Sequence, residues 1–135
     1  MRIPISLLLY LPLVSACHNG PAEHHAAEGA LGPYSAAVTS GDLVFLSGKF
    51  GESGDFAHET ETSLDRVEVE LEKLGLTFAD VVEARIFLVD MERYDEFNEI
   101  YARRLSAPYP ARACVAVAAL PRGAQVEIQM VARKR

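Results

Sequence analysis

Residues 109–132 constrain the fold more than any other part of this sequence. Pro110 excludes a helix at their start, and residues 114–118 alternate branched and small side chains as a buried strand can. The next segment, Leu-Pro-Arg-Gly at 120–123, has the composition of a turn. Apolar residues at 126, 128 and 130 then alternate with Glu127 and Gln129, which predicts a strand with one apolar face and one polar face. Glu127 is therefore expected to point out of the core.

The sequence before this stretch contains three patterns typical of strands and two typical of amphipathic helices. Val38 and residues 43–46 flank a Ser-Gly-Asp turn, which predicts a hairpin, and apolar alternation at 81–89 predicts a central strand. The apolar residues at helical spacing are Leu64, Val67, Leu71 and Leu74 in the first helix, and Tyr94, Phe97, Tyr101 and Leu105 in the second. Gly75 is placed to end the first helix, and Asp90 to cap the second.

The predicted order is strand, strand, helix, strand, helix, strand, strand. This order indicates one α+β domain with a mixed β-sheet packed on two helices. The two helices cover one face of the sheet, so the other face needs cover, which oligomerisation would provide. The 135-residue chain has a formal net charge of -6 and no basic cluster, which argues against a nucleic-acid partner.

Residues 1–16 are predicted to be a signal peptide for export. Arg2 precedes an apolar run at 3–14 that is too short to span a bilayer stably. The run closes on Val-Ser-Ala before Cys17, which resembles a bacterial lipobox and makes Cys17 the predicted lipidation site. A periplasmic or membrane-anchored lipoprotein is expected, with membrane contact only through the lipid. The alternatives are an ordinary cleaved leader, or a wrongly chosen start codon on a cytoplasmic protein.

Residues 17–29 are predicted to be a flexible tether, which leaves 30–135 as the folded domain. The tether is polar and small, includes His18, His24 and His25, and shows no apolar period. Because no second cluster with ligand spacing completes a site, no metal is predicted.

Arg112 is the charged residue whose position is hardest to explain as ordinary surface. It lies between a proline and an apolar strand, where a solvated charge is not expected unless the site is a pocket. The alternative is an arginine at the end of a strand in a surface ion pair. The sequence contains no glycine-rich phosphate loop, nucleophile elbow or CxxC motif. Cys114 has no histidine nearby and is expected to be a small buried hydrophobe.

Several short segments together resemble the RidA/YjgF family of reactive-intermediate deaminases, over about residues 30–134. They are Gly-Pro-Tyr-Ser at 32–35, Ser-Gly at 47–48, Asn-Glu-Ile-Tyr at 98–101, Pro-Ala-Arg-Ala-Cys at 110–114 and Leu-Pro-Arg-Gly-Ala-Gln-Val-Glu-Ile at 120–128. The resemblance implies a homotrimer whose sheets face a central barrel, with a pocket at each subunit interface. It also implies hydrolysis of enamines such as 2-aminoacrylate, or their imine tautomers, to 2-keto acids and ammonia, with no metal or organic cofactor.

The same resemblance implies roles for individual residues. Arg112 would hold the substrate carboxylate through two parallel charge-assisted hydrogen bonds. Glu127 would deprotonate the attacking water and pass a proton to the leaving ammonia. Backbone groups at Cys114 would orient the imine nitrogen. The other implied pocket residues are Tyr34, Ser47, Gly48, Asn98 and Tyr101.

The sequence departs from the family pattern at three places. Lys49 and Phe50 stand where the family often has Gln-Ile, Ala36 replaces a frequent Gln, and the loop at 106–109 is short. The first and third lie beside the implied pocket and bear on substrate preference. Enamines arise mostly in the cytoplasm, so an exported copy leaves a second hypothesis open. This is a non-catalytic trimeric envelope module that binds small carboxylates or partner proteins.

Overall fold

A six-stranded mixed sheet is the framework of the protein in the computed structural model, which describes residues 20–135. The strands are β1 (Glu23–His25), β2 (Ala37–Ser40), β3 (Leu43–Leu46), β4 (Val81–Leu88), β5 (Ala111–Ala116) and β6 (Val126–Arg133). The helices are α1 (Phe56–Lys73) and α2 (Tyr94–Arg104), with short 3-10 turns at Phe78–Asp80, Met91–Arg93 and Pro121–Gly123. The predicted α+β class, with a mixed sheet and two helices, is confirmed.

The strand order in the sheet is β1-β2-β3-β6-β4-β5. β4 and β5 are parallel and are connected through α2, whereas all other neighbouring strands are antiparallel. The last strand, β6, therefore lies between β3 and β4 and joins the two halves of the chain. Both strands predicted around the turn at 120–123 exist, but β4 separates them. Arg112 on β5 and Glu127 on β6 are thus two strands apart.

Helix α1 forms where the sequence predicted an amphipathic helix, because its apolar stripe packs on the sheet. Leu64, Val67 and Leu71 are fully buried in the core. The Asp55 side chain caps the amino end by accepting a hydrogen bond from the His58 backbone N–H at 2.8 Å. The helix ends at Lys73, and Gly75 follows it as the predicted terminating glycine, with a positive φ of 71° that suits a residue without a Cβ atom.

Helix α2 also follows the prediction, with one exception that matters for the site. Phe97 and Tyr101 are buried, and Asp90 caps the 3-10 turn that leads into the helix by accepting from the Glu92 N–H at 2.9 Å. Tyr94 was predicted to belong to the buried stripe, but it is 37% exposed. Its position at the first residue of α2 places it beside the edge strand rather than under the sheet.

The two faces of the sheet have different surroundings. One face packs on α1 and α2, whereas the opposite face is open in the single chain. Phe45 and Val115 are 43% and 46% exposed, and both alternate with residues that face the helices. An open face with exposed apolar side chains is the feature that leads us to expect a neighbouring subunit.

Two expectations about chain organisation need correction. The tether was predicted to run to residue 29, but residues 23–25 form β1 and pair with β2, and the His25 ring nitrogen Nε2 lies 2.9 Å from the Thr39 hydroxyl oxygen. Strand β5 was predicted to be buried at 114–118, but it covers Ala111–Ala116 at the sheet edge, where most of its residues are exposed in the single chain. An apolar run in the sequence does not distinguish a buried central strand from an exposed edge strand. The predicted signal peptide and Cys17 lie outside the described residues.

A buried carboxylate holds the start of β6, and its removal should destabilise the fold. Glu59 on α1 is 3% exposed and accepts the Gln125 backbone N–H at 2.7 Å and the Gln125 side-chain amide at 3.0 Å. We expect Glu59→Ala to lower the free energy of unfolding by about 1–3 kcal/mol, because a buried N–H loses its acceptor. Chemical denaturation measures this loss. An unchanged midpoint would contradict it, and Glu72→Ala, at an exposed position of the same helix, is the matched control.

Candidate active site

Arg112 lies on the helix-facing side of the sheet and packs against the aromatic residues of α2. Its register partner on β4 is Ala84, which is fully buried under the helices. The guanidinium carbon lies 5.1 Å from the centre of the Tyr101 ring and 5.8 Å from that of Phe97, and Nη2 donates to the Tyr94 hydroxyl at 3.1 Å. Cation–π contacts therefore orient the guanidinium without neutralising its charge.

Within the part of the chain that the structure describes, the surface ion pair considered for Arg112 is not formed. Among residues 20–135, no carboxylate lies within 4.0 Å of its guanidinium nitrogens. A half-buried arginine with aromatic neighbours and no carboxylate partner has donors available for an anionic ligand.

The residues around Arg112 form one half of the predicted site. A cavity of about 320 Å³ is lined by Asn98, Tyr101, Tyr109 and Arg112, and an adjoining surface cleft is lined by Tyr94, Arg112 and Cys114. Asn98 and Tyr101 share one face of α2, as their spacing predicted. We call the set of Asn98, Tyr101, Arg112 and Cys114 the arginine half-site.

The Tyr101 hydroxyl is a buried polar group in this half-site. It has no hydrogen-bond partner among the described residues. Burial raises the pKa of Tyr101 to about 12, although the nearby Arg112 charge acts in the opposite direction. The phenol is therefore protonated at neutral pH and has a donor hydrogen to offer.

Cys114 follows Arg112 by two residues and shares its face of β5. It packs against the hydrophobic core as a small hydrophobe, as predicted, but it is only half-buried, and it has no disulfide partner among residues 20–135. Burial raises the pKa of the Cys114 thiol, and the Arg112 charge lowers it by less. The thiol is thus protonated at neutral pH, which disfavours a nucleophilic role.

Glu127 belongs to a second cluster on the other side of the sheet. A cavity of about 450 Å³ is lined by Tyr34, Ser47, Gly48 and Glu127, with Leu31 and Phe50 among the apolar walls. Burial raises the pKa of the Glu127 carboxyl. The Ser47 hydroxyl donates to the Ser35 carbonyl at 2.6 Å, which fixes the loop that carries Tyr34. We call the set of Tyr34, Ser47, Gly48 and Glu127 the glutamate half-site.

The sheet register separates the two half-sites. Arg112 is paired with Ala84 on β4, and Glu127 is paired with Phe87 on the same strand. Positions three residues apart on a strand point to opposite faces, so the two side chains leave the sheet in opposite directions. All eight predicted pocket residues fall into one of the two clusters, but a single chain does not bring the clusters together.

Two aromatic residues that adjoin the arginine half-site, Tyr94 and Tyr109, were not predicted as pocket residues. The Tyr94 hydroxyl oxygen accepts a hydrogen bond from the Arg112 guanidinium at 3.1 Å. Tyr109 lines the cavity, and its ring centre is 6.5 Å from that of Tyr101. The sequence offered a partial signal, since Tyr94 precedes Phe97 by three residues on one helical face, but the same spacing is typical of core packing.

The described residues contain no group of three or more His, Cys, Asp or Glu side chains arranged to hold a metal ion. Within 20–135, neither helix combines the length and the apolar composition required to cross a bilayer.

Gly48 gives Glu127 its space. A Cβ atom built on Gly48 would overlap the Glu127 carboxylate, which must then move. The resemblance implies that Glu127 is a reacting group, and on that expectation Gly48→Ala should lower kcat at least about tenfold while the fold is kept, because displacement of such a group by about 1 Å is costly. Steady-state kinetics and circular dichroism measure the two effects. Gly20→Ala, where the added Cβ meets nothing within 4 Å, is the control, and equal activity of both variants would refute the expectation.

Comparison with known proteins gives consistent similarities. Residues 24–134 match the family model described as Endoribonuclease L-PSP. The human 2-iminobutanoate/2-iminopropanoate deaminase is 37% identical over 114 residues, which cover 78% of this chain and 83% of the human protein. The RutC family protein y4sK of Sinorhizobium fredii is 37% identical over 119 residues, which cover 82% of this chain and 94% of that protein.

Solved structures agree with these sequence similarities. The crystal structure of RidA from the Antarctic bacterium Psychrobacter superposes with a TM-score of 0.75 at 37% identity, and the match covers 78% of this chain and 91% of that one. The family match begins at residue 24, so it includes most of strand β1.

Proposed function

Because this chain belongs to the RidA/YjgF family, whose model carries the description Endoribonuclease L-PSP, we propose that it hydrolyses reactive enamines and imines to 2-keto acids and ammonia. The substrates are of the 2-aminoacrylate and 2-iminopropanoate type. Relatives that are named deaminases, at 42% identity in Arabidopsis thaliana and 37% in Homo sapiens, support this proposal. The observation that carries it in this chain is the Arg112 guanidinium, which is oriented by aromatic rings and has no carboxylate partner among residues 20–135.

The chemistry follows from the two charged residues. In the proposal, Arg112 binds the substrate carboxylate through two parallel N–H donors, a geometry that lysine does not supply. The imine carbon is electrophilic, so water can add to it once a base removes a proton. Glu127 is that base, and it then returns the proton to the nitrogen that leaves as ammonia. The raised pKa of Glu127 suits a group that must both accept and donate a proton.

Two copies of the chain are required to complete such a site. The arginine and glutamate half-sites face opposite sides of the sheet, so Arg112 of one copy would meet Glu127 of a neighbour. We propose a homotrimer in which the open sheet faces, with Phe45 and Val115, are covered by neighbouring subunits. The exposed edge strand β5, which carries Arg112, would lie at the interface.

We propose that residues 1–16 direct export and that Cys17 is lipidated, on the basis of the lipobox-like sequence alone. The mass of the mature amino terminus, measured with and without globomycin, tests this. An unmodified Cys17 in the native host would contradict the lipoprotein.

The test of function is the release of ammonia or pyruvate from enzymatically generated 2-aminoacrylate. We expect the purified protein to accelerate release above the spontaneous rate in buffer. The non-catalytic module would instead bind 2-oxobutyrate in calorimetry without accelerating release. The named deaminase relatives favour turnover over that second hypothesis.

A further inference from the structure

A second cleft adjoins the glutamate half-site and concentrates positive charge that the proposed reaction does not use. It has a volume of about 370 Å³ and lies between the loop at 26–31 and helix α1. Its charged lining residues are the four cations Lys49, Arg66, Lys73 and Arg122 and the two acids Glu28 and Glu70. We call it the basic cleft. Its local excess of cations is opposite in sign to the net charge of -6 on the whole chain.

The cations of the basic cleft are only partly neutralised. Lys49 Nζ and Lys73 Nζ lie 3.2 and 3.6 Å from the same Glu70 carboxylate oxygen, so one carboxylate serves two ammonium groups. Arg66 donates a hydrogen bond to the neutral carbonyl oxygen of Phe50 at 2.6 Å, which does not neutralise the guanidinium charge. Across residues 20–135, no carboxylate lies within 4.0 Å of Arg122.

The surroundings strengthen the attraction of this charge for an anion. The Lys49 side chain is 17% exposed and the Glu70 side chain 9% exposed, so the pair sits in a medium of lower dielectric constant than water. Lys49 is also one of the residues at which the chain departs from the common family pattern. Such a buried cation is costly unless an anion compensates it, and Glu70 is shared with Lys73.

The basic cleft and the cavity of the glutamate half-site are neighbours that share part of their walls. Leu31, Tyr34, Gly48 and Phe50 line both cavities. For a molecule whose reacting carbon lies at Glu127, the cations of the basic cleft are therefore the nearest charged neighbours beyond the shared wall of Tyr34 and Gly48.

We propose that the basic cleft binds a second anionic group on the substrate, so that the enzyme prefers imines of dicarboxylic 2-oxo acids over those of monocarboxylic ones. This inference rests on the proposed function and specifies its substrate class. Arg112 of a neighbouring copy binds the carboxylate beside the imine carbon, Glu127 acts on the water, and the basic cleft receives the distal carboxylate through charge-assisted hydrogen bonds. A monocarboxylic imine leaves the basic cleft without a ligand.

The test compares 2-iminoglutarate and 2-iminobutanoate, each generated by an amino-acid oxidase. We expect the wild-type protein to have the higher kcat/KM for 2-iminoglutarate. Arg122 has a φ of 57°, so asparagine, which tolerates this left-handed conformation, is the neutral replacement that keeps the turn. We expect Arg122→Asn combined with Lys73→Gln to lower the ratio of the two kcat/KM values roughly tenfold, as one charge-assisted hydrogen bond would. Arg103→Gln removes an exposed charge that pairs with Glu61 and should leave the ratio unchanged.

The outcomes separate this inference from the proposed function. Hydrolysis of both imines with a ratio that the double variant does not change would overturn the inference and leave the deaminase intact. If neither imine is hydrolysed faster than in buffer, the proposed function fails. Calorimetry with 2-oxoglutarate and 2-oxobutyrate then tests anion binding by the basic cleft independently of hydrolysis. Tighter binding of 2-oxoglutarate that the double variant abolishes supports the cleft, and equal binding of the two acids refutes it.

Discussion

Replacing Arg112 with alanine is expected to lower kcat/KM for 2-iminopropanoate by about 100-fold or more. Each hydrogen bond to a charged group contributes about 1.5–3 kcal/mol, so the loss of two costs roughly 3 kcal/mol or more in transition-state binding. The guanidinium donates a hydrogen bond to Tyr94 and packs over the Tyr101 ring. Within residues 20–135 it makes no ion pair. The measurement is steady-state hydrolysis of oxidase-generated imine.

Arg112→Lys distinguishes charge from geometry. Lysine keeps the positive charge but lacks the planar pair of donors, so we expect it to recover only a small part of the activity. Arg103→Gln, which removes an exposed arginine of α2 that pairs with Glu61, is the matched control. Activity of Arg112→Ala equal to that of this control would exclude Arg112 as the carboxylate-binding residue.

Glu127→Gln is expected to lower kcat by about 10²–10⁴-fold, because glutamine cannot accept a proton from water. The shape of the carboxyl is kept, so binding of 2-oxobutyrate should change much less than kcat. In the wild-type protein, activity should fall as the pH falls through the pKa of Glu127. Burial raises that pKa, so the acidic limb of the pH profile should lie above the ordinary glutamate value of 4.5. A limb at or below that value would contradict the assignment.

The raised pKa of Glu127 also predicts the sign of a stability change. A carboxyl whose pKa is higher in the folded state favours folding when protonated, and this contribution is lost as the pH rises through the folded-state pKa. Glu127→Gln should therefore raise Tm relative to the wild type at neutral pH, and the gain should disappear in acid. Thermal unfolding at several pH values measures the Tm difference between Glu127→Gln and the wild type. A difference that is smaller at neutral pH than in acid would contradict the prediction.

Mixing the two inactive variants tests where the site is built. If Arg112 and Glu127 act across an interface, oligomers assembled from both variants contain some interfaces with one intact residue from each side. For random assembly, about a quarter of the interfaces are intact, so activity should return to about a quarter of the wild-type value. Co-refolded variants that remain inactive would show that both residues must belong to the same chain.

The sequence by itself determined both helices, most of the strands and the identity of most candidate residues. Apolar spacing predicted both helices, the hairpin and the strand β6, because a helix of period 3.6 and a strand of period 2 each present one apolar face. Alternation around Glu127 predicted correctly that its side chain leaves the core. Gly75 follows the end of α1 as expected, and Asp90 caps the 3-10 turn that leads into α2 rather than α2 itself.

Local patterns were weakest where a role depends on distant chain segments. Residues 23–25 have no apolar period, and they form a strand only because they pair with β2. Tyr94 and Tyr109 were not predicted to contact the arginine half-site, because aromatic residues at helical spacing equally indicate a core. The basic cleft collects Lys49, Lys73 and Arg122 from three separate segments, so no cluster of cations is visible in the sequence.

Only the tertiary structure decided how the site is divided. The sequence brings Arg112 and Glu127 within 15 residues of each other, which suggested a pair on neighbouring strands. In the fold, β4 is inserted between their strands, and a register offset of three residues along β4 turns the two side chains to opposite faces. Strand order and register arise from long-range pairing of the whole sheet, which no local pattern encodes. The register is therefore the physical reason for proposing a site shared between copies, whereas the two charged residues are visible in the sequence.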